Sequence, residues 1–325
     1  MTKQEAYVAI DIGGTKIAAG FSTPGFPEIF ARSIRRTPEE NVLDAVIAAV
    51  HETVTAAREG GYEPISIGIG APGVIDAQQG QVVAAGPTMP GWAGTSIAAE
   101  VVGATGLPVA VHNDVRLMGL GEARFGSAQD YDRILFVSLG TGVGGALIYA
   151  GHLQEGAHAT AGELRSIVAA DIHGQASVLE DVLSGPGIAA SYNAERDMQG
   201  RGDGCATGNT ADLGLRAIMQ RYHAGEELAR CVVHDSCFVG GKALGGFASA
   251  IDVDAIIVGG GVGTIGPEII APLTKGIHAG ALASMKQVPV RVASLGTAAP
   301  LFGAAWYGVE FGHQNYNETL GLRSC

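Results

Sequence analysis

The sequence predicts an α/β protein of two domains in which a unit led by a β-hairpin occurs twice. The 325 residues exceed what one simple core needs and suit two domains of ordinary size. An apolar run at 7–12, a glycine pair and a second apolar run at 16–22 predict the first hairpin. The same order returns at 133–139, 140–145 and 146–150, which indicates an internal duplication.

Strands and helices alternate between and after the two hairpins. Short apolar runs predict strands, and apolar residues at helical spacing, such as Val42, Val46 and Val50, predict helices. Further strands are expected at 28–36, 65–70, 109–112, 255–258 and 290–293. Helices are expected at 38–58, 95–103, 115–125, 178–196, 211–222, 226–251 and 298–309, followed by a loose polar tail from Gly312. The domain boundary is expected between Asn113 and Arg133.

The composition argues against several classes of protein. Hydrophobic residues make up 47% and charged residues 16%, so the chain can bury a core and is not disordered. The net charge of −12 argues against a nucleic-acid partner. Neither a signal-peptide core nor an apolar stretch of membrane-spanning length is present, and the four cysteines form no C-x-x-C pair. A cytoplasmic protein with reduced thiols is therefore expected.

The first glycine turn is the segment Asp11-Ile12-Gly13-Gly14-Thr15-Lys16. Glycines let the backbone approach an anion, Thr15 offers a hydroxyl group and Lys16 a cation. Asp11, at the end of a buried strand, suits a hydrated Mg²⁺. The segment is not a Walker A loop, because G-x-x-x-x-G-K-[ST] is absent. A plain hairpin turn with a capping aspartate is the local alternative.

The second glycine turn fits the dinucleotide pattern G-x-G-x-x-G at 140–145, and so does the run at 68–73. A dinucleotide fingerprint requires a helix directly after the loop. The residues at 146–150 are typical of a strand instead, and Pro72 lies inside the other loop. The sequence therefore argues against a Rossmann dehydrogenase.

Several further residues are candidates for a site. Asn113 and Asp114 end a strand and open a helix, the place where open α/β folds bind ligands. Glu163 and Glu180 offer carboxylates to sugar hydroxyls, and the glycines at 259–261 follow a buried strand. On local evidence alone, a helix cap, exposed glutamates and a plain loop are the alternative interpretations.

Taken together, these segments resemble the ROK family of repressors, open reading frames and sugar kinases, from about Tyr7 to Tyr307. The order of the markers along the chain makes the resemblance specific. The markers are Asp11-Ile12-Gly13-Gly14-Thr15-Lys16, Ala71-Pro72-Gly73, Pro90-Gly91-Trp92, Asn113-Asp114, Leu139-Gly140-Thr141-Gly142-Val143-Gly144-Gly145, Ala161-Gly162-Glu163-Leu164 and Val258-Gly259-Gly260-Gly261.

The resemblance implies an α/β fold with a duplicated ribonuclease-H-like unit, as in actin and hexokinase, and two domains around a cleft. The last helix would return to the first domain, giving domains of 1–115 plus about 298–312 and of 116–297. A homodimer that acts on ATP and a small-molecule sugar is implied.

Roles follow from the same resemblance. Asp114 would be the catalytic base for the sugar 6-hydroxyl. Sugar-binding residues would be Gly73, Asn113, Asp114, Glu163 and Glu180. The ATP phosphates and Mg²⁺ would lie at Asp11, Gly13, Gly14, Thr15, Lys16, Gly140, Thr141 and Gly142, with Gly259, Gly260 and Gly261 near adenosine.

The chain departs from the family pattern on the sugar side. Ser166 stands where the family has a histidine that binds both a structural zinc and the sugar. The cysteines of the zinc motif are missing from 171–180, although Glu180 is retained, and His173 alone makes no tetrahedral site. Thr88 replaces a usual asparagine. We therefore predict no structural zinc.

The resemblance implies an ATP-dependent carbohydrate kinase for a hexose or an N-acylhexosamine, with glucose and N-acetylmannosamine as the leading substrates. The alternative is a catalytically impaired sugar-binding or regulatory member of the family. A repressor is disfavoured, because the first strand near Tyr7 leaves no room for a helix-turn-helix. The sequence does not choose the sugar, nor between ATP and polyphosphate.

Overall fold

The computed structural model describes residues 3–26, 28–86, 89–202 and 212–319, with the side chains of 200–202 and 313–319 excepted. Thr88 lies outside the described residues, as do Cys205 and Cys325. The chain forms two compact units. Unit 1 comprises Met1–Asp130, Gly151–Ala161 and Ser294–Cys325, and unit 2 comprises Tyr131–Ala150 and Gly162–Ala293.

Fourteen strands and ten α-helices are present in the described part of the chain. The strands are β1 Gln4–Ile12, β2 Lys16–Ser22, β3 Phe30–Arg36, β4 Tyr62–Ala71, β5 Val74–Asp76, β6 Gln81–Ala84, β7 Val109–Asn113, β8 Arg133–Leu139, β9 Val143–Tyr149, β10 His152–Leu153, β11 Val168–Ala170, β12 Ala176–Val178, β13 Ala255–Gly259 and β14 Val290–Val292. The helices are α1 Val42–Glu59, α2 Ile97–Thr105, α3 Asp114–Phe125, α4 Leu179–Leu183, α5 Gly185–Gly202, α6 Leu215–His223, α7 Glu227–Ile251, α8 Gly260–Gly263, α9 Pro267–Gly280 and α10 Ala299–Thr319.

The sheet of unit 1 has the strand order β3-β2-β1-β4-β7. β1 and β2 form the predicted hairpin, and β1, β4 and β7 are parallel. Asp11 is paired with Gly70, and Ala71 with Asn113. Because these strands are parallel, they end at the same edge of the sheet. The candidate residues of unit 1 at the ends of these three strands therefore lie along one edge of the sheet.

Alternate residues of β1 face two different cores. Val8 and Ile10 pack with α1 and α2, whereas Tyr7 and Ala9 pack with α3 and α10. Successive side chains of a strand point to opposite faces, so the sheet is covered by helices on both sides. The long apolar run of β1 follows from this double burial.

Unit 2 repeats the arrangement of unit 1. Its sheet contains the order β9-β8-β13-β14, in which β8 and β9 are an antiparallel hairpin and β8, β13 and β14 are parallel. The corresponding order in unit 1 is β2-β1-β4-β7. The duplication predicted from the two hairpins is confirmed at the level of strand order.

Three expectations about unit 1 need correction. The first helix begins at Val42 rather than Pro38, because Asn41 has a φ of 56°, a left-handed conformation that a helix cannot continue through. α10 continues to Thr319, so residues 312–319 are helical and not loose as expected. α3 packs against α10, which places it in unit 1 and moves the boundary from 115 to 130.

Helix α9 has no counterpart in the sequence prediction. It contains Pro272 and ends at Gly280, and such residues indicate the end of a helix rather than its interior. Glycines on both helices allow α9 to pack closely on α7: a Cβ on Gly276 would lie 2.1 Å from the carbonyl oxygen of Phe238, and one on Gly241 would lie 2.4 Å from that of Leu273. Tertiary packing thus overrides the local propensity.

The polypeptide shows no transmembrane helix in the part that the structure describes, since none of these helices is both long and apolar enough to cross a bilayer.

Candidate active site

Two acidic side chains meet at the strand ends of unit 1. Asp11 is near the end of β1, and Asp114 is the first residue of α3, directly after β7. Gly70 of β4 lies between them: a Cβ there would be 3.5 Å from Oδ1 of Asp11 and 3.4 Å from Cα of Asp114. A side chain on Gly70 would therefore contact both residues.

The environment of Asp11 favours its protonated form. Burial raises its pKa to about 7, and the charge of Asp114 acts in the same direction. The cations Lys16 and Arg32 oppose this shift only in part. Asp11 therefore changes charge near neutral pH. A cation bound to this carboxylate would favour its ionised form.

Hydrogen bonds close the first glycine turn and fix its shape. Gly13 N–H donates to the carbonyl of Lys16 (2.8 Å), and the hydroxyl of Thr37 donates to the carbonyl of Gly13 (2.6 Å). Thr37 N–H also donates to the carbonyl of Thr15 (3.0 Å). Gly14 and Thr15 are exposed, so this tip can present backbone N–H groups to an anion. Thr37 was not predicted as part of the turn, because it lies 24 positions from Gly13 in the chain.

Asn113 caps α3 and is held from two sides. Its Oδ1 accepts from the N–H of Arg116 (3.1 Å), and its Nδ2 donates to the carbonyl of Gly73 (3.0 Å). Gly73 has a φ of 104°, and a Cβ there would lie 2.4 Å from the carbonyl oxygen of Ala84, so only glycine fits. The structure brings together the three predicted sugar-binding residues of unit 1, namely Gly73, Asn113 and Asp114.

A cavity of about 860 Å³ lies beside the first glycine turn in unit 1. Gly14 and Thr15 form one part of its wall. The chain from Arg36 to Leu43 and the segment from Met89 to Trp92, together with Thr95, form the rest. Residues 36–43 were not predicted as part of a site, because they lie far from the glycine turn in the chain and carry no motif.

A carboxylate holds the second glycine turn, which is in unit 2. Val143 N–H donates to Oε2 of Glu180 (3.0 Å), and a Cβ on Gly142 would lie 2.6 Å from the same oxygen. Gly140 N–H donates to the carbonyl of Gly142 (3.0 Å), and Gly185 N–H to the carbonyl of Gly140 (2.8 Å). Glu180, predicted to bind sugar, thus uses one oxygen to support this turn.

The glycines at 259–261 lie next to the second glycine turn. Gly260 has a φ of 80°, and a Cβ there would be 2.3 Å from the carbonyl oxygen of Leu139. Gly261 lines a cavity of about 490 Å³ together with Gly140 and Thr141. The remaining lining residues are Gly185, Pro186, Ala189, Gly214, Leu215 and Val262. These residues were not predicted, although the run Gly185-Pro186-Gly187 is typical of a helix start.

Glu163 is exposed in unit 2, next to the buried Leu164. A Cβ on Gly145 of β9 would lie 2.6 Å from the carbonyl oxygen of Gly162, so this segment packs closely on the strand. Ser166, which replaces the family histidine, is exposed as well. A hydroxyl at this position cannot act as a zinc ligand in the manner of an imidazole.

The hairpin of β11 and β12 occupies the segment where the family carries its zinc motif. Oδ1 of Asp171 accepts from the N–H groups of His173 (2.9 Å) and Gln175 (2.8 Å) and so closes the turn. His173 Nε2 lies 2.7 Å from Oε1 of Glu195. Among the described residues, no group of three or more potential ligands could hold a metal ion. The residues of this hairpin do not fit a structural zinc.

The paired hairpins and the glycine turns at their tips define a two-unit α/β kinase fold, and comparisons with known proteins identify it further. The model of the ROK family matches residues 7–309. The chain therefore belongs to the ROK family, as the resemblance predicted.

Three relatives illustrate the similarity. A glucokinase of Streptomyces coelicolor is 30% identical, with 92% of this chain and 96% of the relative covered. An N-acetyl-D-glucosamine kinase of Yersinia enterocolitica is 27% identical, with 92% and 98% covered. A ROK family glucokinase from Streptomyces griseus, solved with glucose and AMPPNP, is 28% identical, covers 94% of this chain and 99% of its own, and has a TM-score of 0.76.

These similarities confirm the predicted fold class and enzyme class. The chain has the α/β fold with two mixed sheets that is typical of ROK and hexokinase-type kinases. Its relatives over most of the chain are ATP-dependent sugar kinases, and this chain is an enzyme of that class. The individual site residues remain predictions.

Proposed function

We propose that the protein transfers the γ-phosphate of ATP to the 6-hydroxyl of a hexose or an N-acylhexosamine, with Asp114 as the base. One observation carries the proposal: Asp11 near the end of β1 and Asp114 at the start of α3 flank Gly70 of β4 at the sheet edge of unit 1. Phosphoryl transfer requires a group that positions the hydroxyl and receives its proton, together with charge stabilisation on the phosphates.

Asp114 suits the role of the base. It is the first residue of α3, where the partial positive charge of the helix N-terminus stabilises a carboxylate. Its Oδ1 accepts from the N–H of Val115 (2.9 Å), which fixes the orientation of the carboxylate. Gly73 and Asn113 would bind the sugar in unit 1, and Glu163 and Glu180 would bind it in unit 2.

The two glycine turns would bind the ATP phosphates. In unit 1 the exposed tip at Gly14 and Thr15 and the cation of Lys16 support this role, and in unit 2 the turn at 140–142 does so. Asp11 would bind Mg²⁺ through its carboxylate, and the bound ion would neutralise phosphate charge. The cavity beside Gly261 has the apolar lining that an adenosine group needs.

The relatives support glucose and N-acylhexosamines as acceptors, because their names include glucokinase and N-acetyl-D-glucosamine kinase. N-Acetylmannosamine remains a candidate on the resemblance. The same resemblance supports a homodimer, which light scattering would test.

The test is an assay coupled to ADP release, with Mg²⁺ and a panel of glucose, mannose, N-acetylglucosamine and N-acetylmannosamine. Inorganic polyphosphate replaces ATP in a second series. We expect turnover of at least one sugar with ATP, and a loss of about a thousandfold or more in kcat for Asp114→Asn, with ATP affinity within about twofold of wild type. Folded wild-type protein without turnover on any sugar contradicts the proposal, and an active Asp114→Asn variant contradicts the role of the base.

A further inference from the structure

A cluster of buried polar side chains lies directly behind Asn113 and Asp114 in unit 1. His112, at the end of β7, has a relative exposure of 1%, and Arg116, in the first turn of α3, has 3%. Both face the segment Gly151–Ala161, which belongs to unit 1 and is followed in the chain by Gly162 and Glu163. A buried arginine and a buried histidine are costly, so each needs specific partners.

His112 links Asn113 to this segment. Asn113 N–H donates to Nδ1 of His112 (2.7 Å), and Nε2 of the ring lies 3.4 Å from Oε1 of Glu155. Because Nδ1 accepts, the neutral ring carries its proton on Nε2, towards the carboxylate. The edge of the ring packs on Tyr307 of α10, with centroids 5.1 Å apart.

The charges of the cluster agree with this arrangement. Burial lowers the pKa of His112, which favours the neutral ring. The contact with His112 lowers the pKa of Glu155, which favours the carboxylate. The guanidinium group of Arg116 also lowers the pKa of both groups, and so favours the neutral imidazole and the ionised carboxylate.

Arg116 makes a second link to the same segment. Its Nη2 donates to the carbonyl of Ala159 (2.7 Å), while its backbone N–H donates to Oδ1 of Asn113 (3.1 Å). Ala159 has a φ of 53°, a conformation that a residue with a Cβ seldom adopts. Ala161 N–H donates to the carbonyl of Glu155 (3.1 Å), which closes the segment into a compact loop.

The contacts determine what the Asn113 amide can offer a ligand. An amide has two N–H donors and two lone pairs on its oxygen. One donor goes to the carbonyl of Gly73 and one lone pair to the N–H of Arg116. The remaining donor and lone pair have a fixed direction, which fits a hydroxyl group that both donates and accepts.

We propose that His112 and Arg116 are positioning residues for sugar recognition: the ring of His112 fixes the backbone of Asn113, and the guanidinium group of Arg116 holds the loop 151–161 on α3. The inference rests on the proposed function, since it concerns the sugar side of the same reaction. Neither residue touches substrate. Their loss weakens the binding of the sugar because Asn113 and the loop gain freedom that binding must then remove. The glycine turns make none of these contacts, so ATP binding is unaffected.

The experiment compares Arg116→Met and Arg116→Lys with Arg230→Met. Arg230, on α7 of unit 2, is the control. Its guanidinium group also donates to a backbone carbonyl, that of Tyr222 (3.2 Å). For Arg116→Met we expect the KM of the best wild-type sugar to rise about tenfold or more, with the KM of ATP within about twofold. Arg116→Lys retains a donor and should recover most of the loss.

Two variants test the histidine in the same way. His112→Asn keeps an acceptor for the N–H of Asn113, whereas His112→Phe removes it, so the increase in sugar KM should be larger for His112→Phe. Thermal unfolding establishes that each variant folds. If Arg116→Met does not fold, Arg116→Lys and His112→Asn carry the test.

Sugar binding is also measured without ATP, by titration with glucose and N-acetylmannosamine, so that the result does not depend on turnover. Weaker sugar binding by the His112 and Arg116 variants, with ATP binding unchanged, supports the proposal even if wild type has no activity. Sugar binding and KM equal to wild type would overturn it. An equal loss for sugar and ATP, or the same change in Arg230→Met, would also overturn it.

Discussion

The two glycine turns follow the same strand order but have different surroundings. In unit 1, Thr37 closes the turn, and the neighbouring strand ends supply Asp11 and Asp114. In unit 2, Glu180 closes the turn, and the space beside it is an apolar cavity lined by Thr141 and Gly261 among others. The two units thus share one backbone arrangement, a hairpin with a glycine turn, and differ in the side chains around it. The first is suited to charge and proton transfer, and the second to an apolar group.

The largest expected effect concerns the charge side of this comparison. Asp11→Asn removes a carboxylate whose pKa is raised to about 7 by burial and by Asp114. The folded protein binds this proton more tightly than the unfolded chain, so the stability that the proton supplies is lost as the pH rises from about 4 to about 7. At pH 8 the variant should be more stable than wild type by as much as about 4 kcal/mol, and at pH 4 about equal to it.

Urea unfolding at pH 4 and pH 8 measures this difference. Asp44→Asn is the control, because it changes the same side chain in α1, away from the strand ends. A variant that is no more stable than wild type at pH 8 would show that the carboxylate of Asp11 is not destabilised in the folded state.

Gly260→Ala addresses the apolar side. The substitution places a Cβ 2.3 Å from the carbonyl oxygen of Leu139, at a φ of 80°, so the end of β8 must shift. We expect a loss of about 2 kcal/mol in the free energy of unfolding and weaker ATP binding. Gly261→Ala is the matched control, since no atom lies within 4 Å of its added Cβ. Equal stability of the two variants would contradict the assigned strain.

Glu180→Ala tests whether the second turn depends on its carboxylate. Without Oε2, the N–H of Val143 loses its acceptor, and the turn at 140–142 becomes less ordered. We expect the KM of ATP to rise about tenfold. Asp181→Ala is the control, because its side chain is exposed next to Glu180. An increase in the KM of the sugar alone would assign Glu180 to sugar binding without a role in the turn.

The sequence predicted what local pattern determines, and missed what distant contacts determine. Both hairpins, the strand ends at Asp11 and Asn113, and the fold class followed from apolar runs and motif order. Thr37 was missed because its hydrogen bond to Gly13 spans 24 positions in the chain. Helix α9 was missed because it contains Pro272 and glycines, which are typical helix breakers. The glycines allow close packing on α7.

The smallest expected effect is on metal content, and it bears on the second turn. Glu180 follows β12 by two residues, so the hairpin at 168–178 supports the carboxylate that holds the turn. Asp171 closes this hairpin with two hydrogen bonds in the segment where the family has cysteine ligands. We therefore expect purified protein to contain well below one zinc per chain and to unfold at the same temperature after EDTA treatment. Asp171→Ala should cost about 1 kcal/mol in the free energy of unfolding. Stoichiometric zinc, or a lower unfolding temperature after chelation, would show that the second turn depends on a metal, unlike the first, which is closed by hydrogen bonds within the protein.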